Sequence, residues 1–224
     1  MQLRLSEWNR YVCGHLWAVE HGIPHSLPRG MQMREQRVTA FAAVPTLLQT
    51  WLTAGLSDKA VPSLTWLLTG AEAMSVELLQ RLREALPRTP IYFGYGPTEA
   101  SEKVSLQIFN PKQLVESTVL VGKAIPNVEI YILDSHLRPV PLGVAGELFC
   151  SGVNLARGYH GRADLTAEVF VDNPFAKEGN QWLQKMYRTG DLARLAEDGR
   201  IQILGRIDRQ VPPTPLPDLL CSDS

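Results

Sequence analysis

From Val38 onward, short apolar runs alternate with segments whose apolar positions fall three and four apart, and this rhythm predicts strands separated by helices. Residues 38–44 read as a short buried strand. Pro45 then suits the first turn of a helix that puts Leu47, Leu48, Trp51 and Leu52 on one face and stops at Gly55. Residues 64–69 form a second strand, and a second helix over 75–86 turns Leu78, Leu79 and Leu82 inward. Ile91, Tyr92 and Phe93 make a third strand. Strands and helices alternating in this way indicate βαβ units and a parallel sheet, whose ligands sit beyond the carboxyl ends of the strands. After Val119 the texture changes to short strands with Gly and Pro turns and no strong helix. Examples are residues 128–133, a turn at 139–143, a strand over 146–152 and a hairpin turn at Gly199-Arg200.

The expected fold class is therefore α/β: a parallel-sheet βαβ subdomain followed by a small β-barrel-like subdomain. The expected division is 1–118 for the α/β part, 119–211 for the β-rich part and 212–224 for a Pro-rich tail. In that tail a proline at every second position cannot feed a sheet ladder. Ahead of Val38, residues 6–22 have helical spacing and 21–36 turn irregular.

Composition narrows the functional classes. A chain of 224 residues, 45% hydrophobic, can bury a real core. Its net charge of −1 argues against a nucleic-acid partner held through phosphates. No apolar run reaches the roughly 20 residues of a membrane span, and Arg4, Glu7 and Arg10 interrupt anything like a signal peptide. Cys13, Cys150 and Cys221 are widely separated, which suits reduced thiols in a cytoplasmic protein without a metal framework. His15, His21 and His25 share no helix face across Gly22 and Pro24, so no metal site is expected there. Trp8, Trp17 and Trp51 read as core residues.

The stretch with the most chemistry is residues 91–99, which closes in Tyr95-Gly96-Pro97-Thr98-Glu99. Glycines let backbone N–H groups approach an anion, a threonine hydroxyl can donate to a phosphate oxygen, and a glutamate is a hard ligand for Mg²⁺. On those grounds alone an ordinary strand-to-loop turn explains the stretch equally well.

The loop resembles the signature of the adenylate-forming enzymes, specifically the amino-acid adenylation domains of nonribosomal peptide synthetases. Val44-Pro45-Thr46 is similar to that family's strand-to-helix step, and Gly70-Ala71-Glu72 to its Gly-Gly-Glu loop. Gly146-Glu147-Leu148 with Leu155-Ala156-Arg157-Gly158-Tyr159, then 187–192, then 205–211 follow the family's later blocks in order and spacing.

The resemblance implies activation of an amino acid with ATP to an aminoacyl-AMP, then transfer to the phosphopantetheine thiol of a carrier domain. It implies adenine stacking on Tyr95 and a nucleotide site that also takes in Gly70, Ala71 and Gly96. Thr98 would contact the α-phosphate, Glu99 would hold Mg²⁺, Asp191 would accept the ribose hydroxyls and Arg206 would add a cation beside them. The amino-acid pocket would be lined by Ala42, Leu68, Gly70, Gly94, Glu102 and Lys103, and Asp208 would be a hinge. The charges of Glu102 and Lys103 suit either the reading of a polar side chain or simply a solvated helix start.

Three departures accompany the match. Phe93 stands where the family carries asparagine near the adenine amino group. No phosphate loop bearing a lysine, and no catalytic lysine after Val211, has a counterpart, so the chain is expected to be a partial domain with little activity of its own. An acyl-CoA ligase is the nearest alternative, though Asp208 stands where such ligases carry lysine. A non-catalytic gene fragment is the other.

Overall fold

The computed structural model describes residues 33–176 and 179–207. The helix expected over 6–22, the histidines near it, Trp8, Trp17, Cys13, Asp208, Cys221 and the Pro-rich tail lie outside the described residues.

Strands β1 (Ala40–Ala42), β2 (Trp66–Gly70) and β3 (Ile91–Tyr95) are parallel neighbours, joined by helices α1 (Pro45–Thr53) and α2 (Val76–Ala85). The expected parallel core is present. Helix α2 starts where Ser75 accepts the Leu78 N–H at 3.0 Å, with Glu77 in its first turn and Arg83 in its last, each charge suited to its end of the helix dipole. Helix α1 has proline in its first turn and no cap from Val44. Instead Glu72, at the end of β2, accepts from the Thr46 N–H at 3.0 Å and the Thr46 hydroxyl at 3.1 Å. A carboxylate from the next strand end thus satisfies the helix start.

Register assigns the faces. Phe41, Leu67, Ile91 and Phe109 stand in one row and face the helices. Leu48, Leu67, Leu79, Leu82, Leu86 and Ile91 there are each at most 1% exposed, and each such burial contributes about 1.5–3 kcal/mol. Ala42, Leu68, Tyr92 and Ile108 form the row on the opposite face.

The sheet departs from the expected pattern after β3. Strand β4 (Ser105–Phe109) runs antiparallel to β3, and β5 (Lys123–Ala124) antiparallel to β4, giving the order β1-β2-β3-β4-β5. The loop over 96–104 is too short for the crossover of a dozen or more residues that a parallel return needs, so the chain doubles back.

The second sheet is antiparallel, in the order β10-β9-β7-β6. Its strands are β6 (Val128–Leu133), β7 (Gly146–Gly152), β9 (Lys185–Leu195) and β10 (Ile201–Arg206), and β8 (Phe170–Asp172) also pairs with β9. Register shifts at Glu147/Phe149 and Ile203/Gly205 curl it into a half-barrel. Strand β7 is central and buried on both faces. Leu148 joins the main core, Phe149 packs with Leu133 and Met186, and Cys150 packs with Phe170 and Tyr187. A short helix α3 (Ala163–Val169), which the pattern did not predict, precedes β8. It buries none of its residues, so it shows no apolar period to read.

The two sheets share a core and a seam. Val121 N–H donates to the Ile201 carbonyl and Ile201 N–H to the Gly122 carbonyl, both at 2.9 Å. Ile132, Leu148, Ala193 and Ile201 pack into the same cluster as Leu67 and Ile91. Among the described residues no helix is long and apolar enough to cross a membrane.

Candidate nucleotide site at the strand ends

Strand β3 delivers Tyr95 and then a loop that closes on itself. The Pro97 carbonyl accepts from both Ala100 and Glu102 N–H, and Val104 N–H returns to the Tyr95 carbonyl at 2.8 Å. Ser101 and Glu102 occupy the left-handed region at φ 52 and 65. Gly96 must be glycine, since a Cβ there would lie 2.7 Å from the Val104 nitrogen. The expected helix start at Glu102-Lys103 is therefore corrected to a tight turn, imposed by the return into β4. Glu102 points to solvent, whereas Lys103 is half-buried.

The second sheet braces this loop. The Asn154 amide donates to the Ala100 carbonyl at 2.9 Å and the Lys103 carbonyl at 3.0 Å, and the Ser101 hydroxyl donates to the Asn154 carbonyl at 2.9 Å. Asn154 is a site residue that the sequence reading missed. Its only signal was an amide just after a strand-ending glycine. Ala156 N–H donates to the Glu99 carbonyl at 2.7 Å, and Tyr159 donates its hydroxyl to Glu99 Oε1 at 2.6 Å. Burial, then the bond to Glu99, raises the Tyr159 pKa, so the phenol remains a donor at neutral pH. Tyr187 lies against the same pair. Burial, then the Tyr159 hydrogen bond and the Glu99 charge, raise its pKa too. Thr98 is exposed at the head of the turn.

Asp191 is the other centre. It sits in β9 directly across from Arg206 in β10, and Arg206 Nη1 reaches its Oδ1 at 3.3 Å and the Thr189 carbonyl at 3.2 Å. Tyr95 donates its hydroxyl to the other carboxylate oxygen. The backbone beneath is fixed: Asp191 N–H donates to the Thr189 hydroxyl at 3.0 Å, which donates to the Leu148 carbonyl at 2.7 Å. Tyr95 is thus half-buried with its hydroxyl occupied. Burial and then the Asp191 charge push its pKa far above the ordinary phenol value. Cys150, buried beneath Glu99 and Asp191, is pushed up to about 12 by burial first and those carboxylates second.

The remaining expected residues fall at the same strand ends. Gly70 is paired with Gly94, and a Cβ on Gly70 would lie 2.2 Å from the Gly94 carbonyl oxygen, so the backbones meet where only glycine fits. Ala71 follows at φ 66. Ala42 and Leu68 share a register position on the face away from the helices, and the Lys103 stem lies over Gly94. Phe93 faces the helices and is buried in the core, so it offers nothing to a base edge.

Among the described residues no group of three or more His, Cys, Asp or Glu could hold a metal by itself. A single partly exposed carboxylate, Glu99, with one oxygen engaged by Tyr159, fits Mg²⁺ carried by nucleotide phosphates rather than an all-protein cage. A separate cleft of about 1110 Å³ lies between the 157–162 loop, α3 and Trp182. Of the residues named here for the nucleotide site it includes Ala156 and Tyr159.

The chain resembles known proteins both in sequence and in fold. The model of the AMP-binding enzyme family matches residues 8–160. Over 177 residues the chain is 44% identical to phosphinothricin tripeptide synthetase PhsB of Streptomyces viridochromogenes, covering 79% of the chain and 14% of that protein. It is 47% identical over 156 residues to tyrocidine synthase 2 of Brevibacillus parabrevis, covering 70% of the chain and 4% of that protein. Among solved structures, PA1221, an NRPS protein containing adenylation and PCP domains, superposes with a TM-score of 0.73 at 30% identity. That match covers 83% of this chain and 37% of PA1221. The Klebsiella oxytoca NpsA N-terminal subdomain, in complex with 3-hydroxybenzoyl-AMSN, gives 0.68 at 27%, covering 83% and 46%. The chain thus spans a small part of these synthetases and less than half of each solved chain.

Proposed function

The chain belongs to the AMP-binding enzyme family, and from that membership we propose that it is part of an amino-acid adenylation domain of the peptide-synthetase type. The reaction is attack by an amino-acid carboxylate oxygen on the α-phosphorus of ATP. The bond to the bridging oxygen breaks, and pyrophosphate leaves with the electron pair. The thiol sulfur of a carrier domain's phosphopantetheine then attacks the acyl carbon, losing its proton, and AMP leaves as the acyl–phosphate bond breaks.

The observation that carries the reading is the meeting of Tyr95, Asp191 and Arg206, which come from three separate sequence blocks. Asp191 accepts hydrogen bonds, and a vicinal ribose diol offers two donors to its carboxylate oxygens. Arg206 pairs with that carboxylate and adds positive charge nearby. Tyr95 supplies a ring face for adenine, beside the backbone of Gly70 and Ala71. Gly96 lets the chain turn toward the phosphates, and Thr98, exposed on the turn, donates to an α-phosphate oxygen. Mg²⁺ arriving with the nucleotide would be held by Glu99 and would neutralise charge on the phosphates. The relatives are peptide synthetases, which does not favour the acyl-CoA ligase alternative.

Calorimetric titration with AMP and ATP tests this. Both should bind, weakly and within about tenfold of each other, because the grip described lies on adenosine and the α-phosphate. Asp191→Ala should weaken AMP by on the order of 100-fold, since two hydrogen bonds to a charged acceptor are lost. Unchanged AMP affinity in Asp191→Ala would refute the site.

A further inference from the structure

The nucleotide chemistry leaves the cleft of about 1110 Å³ beside it without a role. Its walls are held in place. Tyr159 N–H donates to the Thr166 hydroxyl at 2.9 Å, which donates to the Arg162 carbonyl at 2.8 Å. Gly158 lets the loop press on α3, since a Cβ there would lie 2.4 Å from the Thr166 methyl. Tyr159 and Phe170 meet edge to face at 5.9 Å, and Trp182 stands 57% exposed. Arg157, Arg162 and Lys185 line the same space, whereas no described aspartate or glutamate does. Arg162 pairs with Asp164 and Lys185 with Asp172, while among the described residues Arg157 makes no ion pair. The volume exceeds the roughly 300–1,000 Å³ of small-molecule pockets. Aromatic walls beside cations suit an extended, proline-rich segment that carries acid.

The course of the chain supplies such a segment. Tyr187 pairs with Cys150 of β7 and Phe170 of β8, and Leu192 pairs with Glu147 of β7 and Gly205 of β10. Strand β7 therefore holds one edge of β9, and β8 and β10 lie end to end along the other. Strand β10 runs toward β8: Arg206 stands across from Asp191, and Ile207 N–H donates to the Gly190 carbonyl at 2.8 Å. Phe170, a wall of the cleft, stands across from Tyr187, three residues farther along β9 or about 10 Å. Pro212 follows Ile207 by five residues, which span up to about 17 Å when extended. Residues 212–224, outside the described residues, carry Pro212, Pro213, Pro215 and Pro217, then Asp218 and Asp223, and no lysine or arginine. Their charge is opposite to that of the cleft.

We infer that this cleft is a docking groove for the chain's own residues 212–224, with the prolines against Trp182 and Phe170 and Asp218 among the three cations. In polyproline form the six residues from Pro212 to Pro217 cover about 19 Å, enough to cross the groove before the acid arrives. Docking there covers the exposed indole and gives Arg157 a counter-charge. None of it depends on a nucleotide being bound.

The test is a bimane dye, which tryptophan quenches only near contact, carried on the tail of the full chain. One sample bears it at Leu216→Cys with Cys13→Ser and Cys221→Ser, the other at Cys221 with Cys13→Ser; Cys150 is buried in both. Emission from at least one position should rise about twofold on Trp182→Phe, because the docked dye loses its quencher. Asp218→Lys, outside the core, should raise it as well, because the tail's acid then becomes a cation among cations. Equal emission with and without Trp182 at both positions overturns the inference, as does emission unmoved by Asp218→Lys. Quenching that grows with chain concentration puts a second copy's tail in the cleft and overturns the assignment to the same chain. If Trp182→Phe fails to fold, Asp218→Lys decides alone.

Discussion

A carboxylate serves as a ligand only if its oxygens point the right way, and at Glu99, the proposed Mg²⁺ ligand, Tyr159 and Tyr187 both lie against it. Tyr159 holds Oε1 at 2.6 Å from the loop between β7 and α3, 60 residues away in sequence. Partners that orient a metal ligand typically contribute 10- to 100-fold in metal affinity, less where phosphates supply most of the ligands. Tyr159→Phe should therefore raise the Mg²⁺ concentration needed for half-maximal ATP binding by about tenfold. A magnesium titration at fixed ATP reads this directly, and an unshifted midpoint would show that Glu99 needs no such support. Asp191 is held in the same manner from two sides, by Tyr95 and Arg206. None of these pairings can be read from a one-dimensional string. The resemblance named Tyr95 and Asp191 without joining them, and gave Tyr159 only as the last residue of a block.

At the scale of elements, local chemistry set most boundaries and the connections set the rest. Ser75 marked the start of α2, and Ser75→Ala should cost about 1 kcal/mol through loss of the cap. That change would appear as a lower urea midpoint with unchanged slope. Gly122 is the more severe position. It lies at φ 83 on the seam between the sheets, and a Cβ there would stand 1.9 Å from the Leu106 carbonyl oxygen. Gly122→Ala should cost at least about 2 kcal/mol, since backbone must move to admit it. A cost near that of Ser75→Ala would show that the seam is pliable. Helix α1 shows where local chemistry falls short. Its start depends on Glu72, 26 residues from Thr46, so the capping residue becomes visible only once β1 and β2 lie side by side.

The whole molecule couples these sites to pH. Burial pushes Cys150 up to about 12 from 9.0, and Tyr131, held also by Glu129, up to about 12 from 10.0. In the unfolded chain both groups lose protons near their ordinary values, while the folded chain retains them. Between about pH 9 and 12 the unfolded state therefore binds fewer protons, and stability must fall as pH rises. Urea unfolding at several alkaline pH values should show the midpoint dropping across this window. In Cys150→Ala the decline should begin nearer pH 10.0, where Tyr131 takes over. A flat profile would mean that the thiol and phenols titrate normally. Hydrophobic periodicity, caps and glycine punctuation determined the order of β1, α1, β2, α2 and β3 and the change to short strands and turns after Val119, because these signals act over a few residues. The tertiary structure alone decided that β4 returns antiparallel, that Asn154 braces the signature loop and that Lys103 lies over Gly94. Asn154 comes from 51 to 54 residues away, and Lys103 reaches Gly94 only because the loop doubles back, so neither spacing nor propensity encodes these contacts at a distance of ångströms.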